Sequence, residues 1–150
     1  MKHLNDRRED WKAVVAGAGP LESKILEYLE KYDLTSKVTV GPVADMSSLL
    51  AESRIFVSIQ QTENYPSQAL LEAMSCENYV IASKVGDTRK IVSERVGELI
   101  RLDHLSLSNA LYNAFEDPVK LALKAKEGRI FAQTYHSVAR FSEYLENFWS

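Results

Sequence analysis

The sequence predicts an α/β protein built on a doubly wound parallel sheet. Short apolar runs alternate along the chain with amphipathic ones, the rhythm of strands joined by crossover helices. The apolar runs are mostly β-branched and nearly continuous in apolarity, as strands buried on both faces are. Glycine and proline stand at several of the junctions, where the chain must turn.

Taken in order, the first strand is expected over Lys12–Ala16. Ala16-Gly17-Ala18-Gly19-Pro20 then leads into a helix over Leu21–Tyr32. Two glycines, Gly17 and Gly19, let a backbone turn tightly and approach a phosphate. Glu22 stands where a dinucleotide fingerprint has its third glycine, and no Lys-Ser/Thr pair follows to make a P-loop. A plain strand-to-helix turn with Pro20 at the first helical position and a ligand loop both fit these residues. Lys37–Val40 is the second strand, followed by a loop over Gly41–Ala44 and a helix over Asp45–Ser53. Ile55–Ser58 is the third, followed by a loop over Gln60–Pro66 and a helix over Pro66–Cys76. Tyr79–Ala82 precedes Val85-Gly86-Asp87-Thr88-Arg89, where Asp87 or Thr88 suits the cap of a helix over Thr88–Ser93. Glu98–Arg101 is the last strand. The tail is helical: Leu105–Phe115, then Pro118–Thr134 after Asp117, then Ser137–Phe148 with Ser137 as N-cap. Phe141, Tyr144, Leu145 and Phe148 form an apolar stripe on that last helix, with Trp149 beside it, which predicts packing on the sheet.

Composition narrows the function classes. At 150 residues the chain has room for one domain with a real core. A net charge of −3 with scattered Lys and Arg argues against a nucleic-acid partner. No apolar run is long enough to span a bilayer and no signal-peptide core is present. One cysteine, Cys76, cannot form an internal disulfide, which fits a reducing cytoplasm. The histidines, His3, His104 and His136, lie far apart, so no metal-ligand spacing appears. There is no Gly-x-Ser-x-Gly elbow and no suggested Cys/His dyad, which leaves hydrolase chemistry without support. A receiver-like domain would need an acidic cluster at its strand ends, and the loops after the first two strands carry Gly and Pro instead.

The most informative stretch runs from Gln61 to Met74. Glu63 follows a strand, Pro66 opens a helical run, and Glu72 lies inside it. This order places one carboxylate at the mouth of a strand-to-helix turn and a second about two helical turns on. The helix N-terminus between them offers free N–H groups and the positive end of a dipole. A sugar nucleotide needs N–H groups for phosphate and carboxylates for hydroxyls. A dipole-favoured acid at Glu63 and a solvated polar face of Gln68, Glu72, Ser75 and Cys76, opposite Leu70, Leu71 and Met74, explain the same residues without a ligand.

The series Gly17-Ala18-Gly19-Pro20, Val38-Thr39-Val40-Gly41-Pro42-Val43, Glu63-Asn64-Tyr65-Pro66 through Leu70-Leu71-Glu72-Ala73-Met74, and Val80-Ile81-Ala82-Ser83-Lys84-Val85-Gly86 resembles the C-terminal, donor-binding half of family 4 retaining glycosyltransferases of the GT-B fold. The resemblance runs from about Trp11 to the end, and the order and spacing of the motifs carry it. It implies a Rossmann-like parallel sheet with flanking helices. It also implies a nucleotide-diphosphate-sugar donor, no metal and no further cofactor. Residues 1–150 would form a single nucleotide-sugar binding domain. By this resemblance Glu72 holds the ribose hydroxyls, Glu63 contacts the hydroxyls of the transferred sugar, and the amides of Asn64, Tyr65, Pro66 and Ser67 are the stretch facing sugar or phosphate. Val43 lies near the base, and Gly17 and Gly19 belong to the donor-binding loops.

Two departures from the family pattern shape the expectations. Eight residues separate Glu63 from Glu72, one more than in the family, so Asn64 stands at the family spacing. A one-residue insertion in the loop would preserve both roles. The family's donor domain also opens with a strand and a loop whose Arg and Lys neutralise the diphosphate, and its acceptor domain comes before that. Neither is found ahead of Trp11. The opening strand would lie between those expected at Lys12–Ala16 and Ile55–Ser58. Without it those two either pair directly, leave a gap for another chain, or expose edges that favour self-association. The chain is therefore expected to be the donor-binding part of a cytoplasmic hexosyltransferase, inactive alone, serving a polysaccharide or glycolipid acceptor through the other half. Any membrane association would come through that half. A non-catalytic nucleotide or nucleotide-sugar binding module is the alternative.

Overall fold

The computed structural model describes residues 1–149. Its elements run α1 (Lys2–Asn5), β1 (Ala13–Ala16), α2 (Glu22–Lys31), β2 (Val38–Gly41), α3 (Met46–Glu52), β3 (Ile55–Ser58), α4 (Gln68–Ser75), β4 (Tyr79–Ser83), a 3-10 turn (Gly86–Lys90), β5 (Gly97–Ile100), α5 (His104–Glu116), α6 (Pro118–Tyr135) and α7 (Val138–Trp149). All strand pairing is parallel, and helices flank the sheets, as the alternation predicts. The architecture is α/β and Rossmann-like.

The strands divide into two sheets. β1 pairs β2 with Ala13 opposite Val38 and Ala16 opposite Gly41. β3, β4 and β5 pair in that order, with Ile55 opposite Tyr79 and Val80 opposite Gly97. β1 and β3 do not pair, so of the expected arrangements direct pairing is the one excluded. The Ala13 N–H donates to Lys37 O and the Gly17 N–H to Gly41 O. A parallel ladder alternates sides, so Val14 and Ala16 turn their backbone groups to the open edge of β1. The Tyr79 N–H donates to Arg54 O, which likewise leaves Ile55 and Val57 facing the open edge of β3.

Burial follows this division. β4, with a partner on each side, is buried at every residue. Val14 and Val15 of β1 remain 44 and 38% exposed, unusual for a parallel strand, whose two faces are ordinarily covered. One apolar cluster joins both sheets, with Trp11, Leu29, Leu34 and Val38 meeting Tyr79, Ile81, Ile100, Ala110 and Leu111. The second cluster covers the other face of β3–β5, where Val80 and Ala82 meet Leu70, Ala73 and Met74 of α4 and Ala132 of α6.

Helix starts obey side-chain chemistry. Asp45 accepts the Ser48 N–H at 3.0 Å, Asp103 the Ser106 N–H at 2.7 Å, and Asp117 the Lys120 N–H at 2.9 Å, each filling one orphan donor. Four findings differ from expectation. Residues 2–5 form a short helix whose Leu4 is buried, and Arg7 and Arg8 stack on Tyr112 and Phe115 of α5. The helix after the third strand begins at Gln68 rather than Pro66, because Ser67 is the N-cap. The expected helix over Thr88–Ser93 is a 3-10 turn over Gly86–Lys90 without a side-chain cap. Finally, α7 buries none of its residues: Phe141, Tyr144 and Phe148 are all above 60% exposed. Its stripe is real, but the expected packing on the sheet is not observed.

Candidate functional site

The loops leaving the carboxyl ends of β1, β2 and β3 carry every candidate site residue except Glu72, which lies one turn inside the helix that follows β3. In open parallel sheets this end is where ligands sit. Gly17 holds a φ of +136°, a conformation side chains rarely adopt. Nothing lies within 4 Å of where a Cβ would stand at Gly17 or Gly19, so this loop faces open space. Val43 is half-buried in the loop between β2 and α3.

The loop after β3 is pinned at both ends. The Gln60 N–H donates to Ser83 Oγ, and Ser83 Oγ–H donates back to Gln60 O, both at 2.8 Å. Ser67, 3% exposed, closes the other end as the cap of α4. Between them residues 61–66 are all exposed. The first two helical N–H groups, of Gln68 and Ala69, have no intrahelical carbonyl to reach and point out of the helix start. Pro66, in a cis peptide with Tyr65, has no N–H to offer. Of the amide stretch expected over Asn64–Ser67, Pro66 alone has no N–H, and the free N–H groups of Gln68 and Ala69 adjoin that stretch.

The two acids have different settings. Glu72 is exposed on α4, and its Oε1 accepts a hydrogen bond from Gln68 Nε2 at 2.8 Å. Its neighbours Leu70, Ala73 and Met74 are buried beneath it, so the helix presents the acid outward from a fixed base. Glu63 reaches across to the loop after β4, where its Oε1 accepts the Asp87 N–H at 2.6 Å. Neither Asp87 nor Thr88 caps the 3-10 turn with its own side chain; the sequence reading of a local cap there is replaced by this contact from Glu63. Lys90 pairs with Asp87 at 2.5 Å and lies over the Tyr65 ring at 5.4 Å. The hydrogen bond and charge of Asp87 raise the Lys90 ammonium above its ordinary value. Ser83, Gly86, Asp87 and Lys90 were not singled out as site residues. Their sequence signals are the place of Ser83 and Gly86 in the last motif of the resemblance and the cap chemistry of Asp87.

Among the described residues, no group of three or more His, Cys, Asp or Glu is placed to hold a metal ion. A cleft of about 520 Å³ lies apart from these loops, lined by Leu71 of α4 and by His136, Arg140, Phe141 and Tyr144 at and beyond the end of α6.

Residues 1–117 match the family model described as Glycosyl transferases group 1. The chain belongs to that family. The match starts ahead of Trp11, where the sequence resemblance was placed, and stops before α6. This group 1 glycosyltransferase chain is 27% identical over 116 residues to the phosphatidylinositol N-acetylglucosaminyltransferase gpi3 subunit of Schizosaccharomyces pombe, covering 75% of the chain and 25% of that protein. In structure it is similar to Anabaena HepE in complex with UDP, with a TM-score of 0.89, 21% identity, and coverage of 98% of the chain and 43% of HepE. HepE has also been solved with UDP-glucose. The C-terminal domain of a group 1 family glycosyl transferase (LpcC) from Francisella tularensis superposes with a TM-score of 0.79 at 22% identity, covering 91% of the chain and 77% of that domain. The chain thus spans about a quarter of the curated relative. The structural likenesses establish the Rossmann-like fold of a GT-B C-terminal domain. No described helix is long and apolar enough to cross a membrane.

Proposed function

We propose that this chain binds the nucleotide-diphosphate-sugar donor of a glycosyltransferase that retains anomeric configuration. The observation that carries the reading is the arrangement at the end of β3. In a group 1 family chain, a loop carrying Glu63 leads from the carboxyl end of β3 into a helix whose first N–H groups are free and which presents an exposed Glu72 one turn in. Gln68 and Ala69 N–H groups would hold phosphate or sugar oxygens, Glu72 the ribose hydroxyls, and Glu63 Oε2 a hydroxyl of the sugar. Val43 would border the base, and the Gly17–Gly19 loop would let backbone approach the donor. The UDP and UDP-glucose complexes of HepE support this ligand class.

In the reaction the bond between the anomeric carbon and the diphosphate oxygen breaks. The acceptor oxygen forms its bond on the same face, and the departing diphosphate takes the acceptor proton. The chain's contribution is to fix the diphosphate with oriented N–H groups as charge develops on it. The acceptor, a polysaccharide or glycolipid, would be positioned by a further segment or partner. The open edges of β1 and β3 support that division, because a strand added there would end among the same loops. On this reading the chain alone shows little or no transfer, since nothing among the described residues walls off water or orients an acceptor.

Calorimetric titration with UDP, GDP, ADP and their sugar conjugates tests the donor reading. One nucleotide should bind, and Glu72→Ala should weaken it by about tenfold or more, the size of one charge-assisted hydrogen bond pair. Unchanged affinity in Glu72→Ala would overturn the site, and turnover by the chain alone would overturn the division of labour.

A further inference from the structure

The loop that follows β3 is exposed from residue 61 to 66, yet its middle is fastened. The Glu63 side chain crosses to the turn after β4, 24 positions along the chain, and its Oε1 takes the Asp87 N–H at 2.6 Å. The turn is shaped to receive it. Gly86 has a φ of +45°, and a Cβ there would stand 2.5 Å from Glu63 Cδ and 2.8 Å from Glu63 Cβ. Real side chains do not approach so closely, and φ is itself unfavourable for any residue with a Cβ. Lys90, from the same turn, lies over Tyr65 of the same loop at 5.4 Å. Two independent contacts therefore run between the same two loops.

We propose that Glu63 is a positioning residue: it latches the loop after β3 to the turn after β4, and Gly86 makes room for the latch. The consequence for donor binding rests on the nucleotide-sugar reading above; the latch itself does not. A carboxylate accepting a backbone N–H is a charge-assisted bond, stronger than a neutral one. Holding the loop before ligand arrives removes an ordering cost from binding. One oxygen is then committed to the protein. Oε2 alone is left to accept from a sugar, so Glu63 selects a single hydroxyl rather than gripping a pair. The turn at residues 86–90 becomes a determinant of sugar selectivity without touching the sugar.

The test uses the whole chain, 15N-labelled, with amide exchange followed by NMR and UDP-glucose titrated in parallel. Glu63→Ala and Gly86→Ala should speed exchange of the Asp87 amide by about tenfold, while Glu63→Gln, whose carbonyl still accepts, should stay within about threefold of the parent. Affinity for UDP-glucose should fall in Glu63→Ala and in Gly86→Ala, which keeps the carboxylate but displaces it. Glu63→Gln, whose one carbonyl is taken by Asp87 and whose NH2 cannot accept from a sugar hydroxyl, should keep the latch and recover the affinity only in part. Unchanged Asp87 exchange in Glu63→Ala would overturn the latch. Faster exchange with unchanged UDP-glucose affinity would overturn the positioning role. If the parent chain does not bind UDP-glucose, the nucleotide-sugar reading is what fails for that donor, and the amide exchange still decides the latch. Should Gly86→Ala not fold, the Glu63→Ala and Glu63→Gln pair carries the experiment.

Discussion

Single side chains in this protein behave according to what surrounds them, and Tyr79 is the clearest case. It is 5% exposed at the start of β4, and its hydroxyl donates to Glu98 Oε2 at 3.3 Å. Burial first, then the Glu98 charge and hydrogen bond, hold its phenol well above the ordinary value of 10.0. The folded state therefore keeps a proton that the unfolded chain gives up. The stability this contributes is complete below the unfolded phenol value and is lost as pH rises beyond it. Urea midpoints followed from about pH 8 to 11 should fall in the parent, and Tyr79→Phe should flatten that fall. An equally steep loss in Tyr79→Phe would assign the alkaline sensitivity elsewhere. At this scale the sequence reading found the acids but not their settings. Glu63 and Glu72 are legible as carboxylates around a strand-to-helix turn. That Glu63 leans on Asp87 is not legible, because the contact joins distant positions and depends on the backbone angle of Gly86.

Elements were read best where burial and periodicity agree. β3 occupies the residues expected, β1 and β4 differ from theirs by one residue at one end, and α6 begins at Pro118 as its Asp-Pro pair dictates. Shifts of a residue or two at other ends reflect cap geometry that propensity does not resolve. The start of α4 is such a case, since both Pro66 and Ser67 make reasonable first residues and the serine cap prevails. α7 is the larger lesson. Its stripe of Phe141, Tyr144 and Phe148 has helical spacing, but spacing does not say whether a partner exists within the chain. Substituting Phe141 and Tyr144 by Ser should change unfolding free energy by no more than about 0.5 kcal/mol each. Met74→Ala, at a side chain with 0% exposure, should cost about 2–5 kcal/mol. Denaturant unfolding of the variants separates the two. A large loss in the α7 variants would mean the helix packs in solution against something it does not touch in the structure.

For the molecule as a whole, the alternation of strands and helices predicts an α/β parallel sheet, and the resemblance of the motifs implies the GT-B Rossmann-like class that the structural likenesses bear out. The split into two sheets was anticipated only as one of several outcomes, since edge pairing depends on which strands can reach each other. The open edges of β1 and β3 and the exposed face of α7 together lead us to expect concentration-dependent association. Sedimentation velocity should show it, and Val14→Lys with Val57→Lys should weaken it by charging the edges. A parent chain that stays monomeric at high concentration would refute the expectation. One contact seen from the rear of the fold bears on motion at its front. Gly128 of α6 lies against Met74, whose Cγ would be in ordinary contact, at 3.5 Å, with a Cβ at that position, and Ala132 shares the same cluster. The helix bearing Glu72 is thus keyed from behind into another helix. A swing of that helix alone toward a ligand would break this buried packing, so a gripping movement is expected to carry α4 and α6 along together.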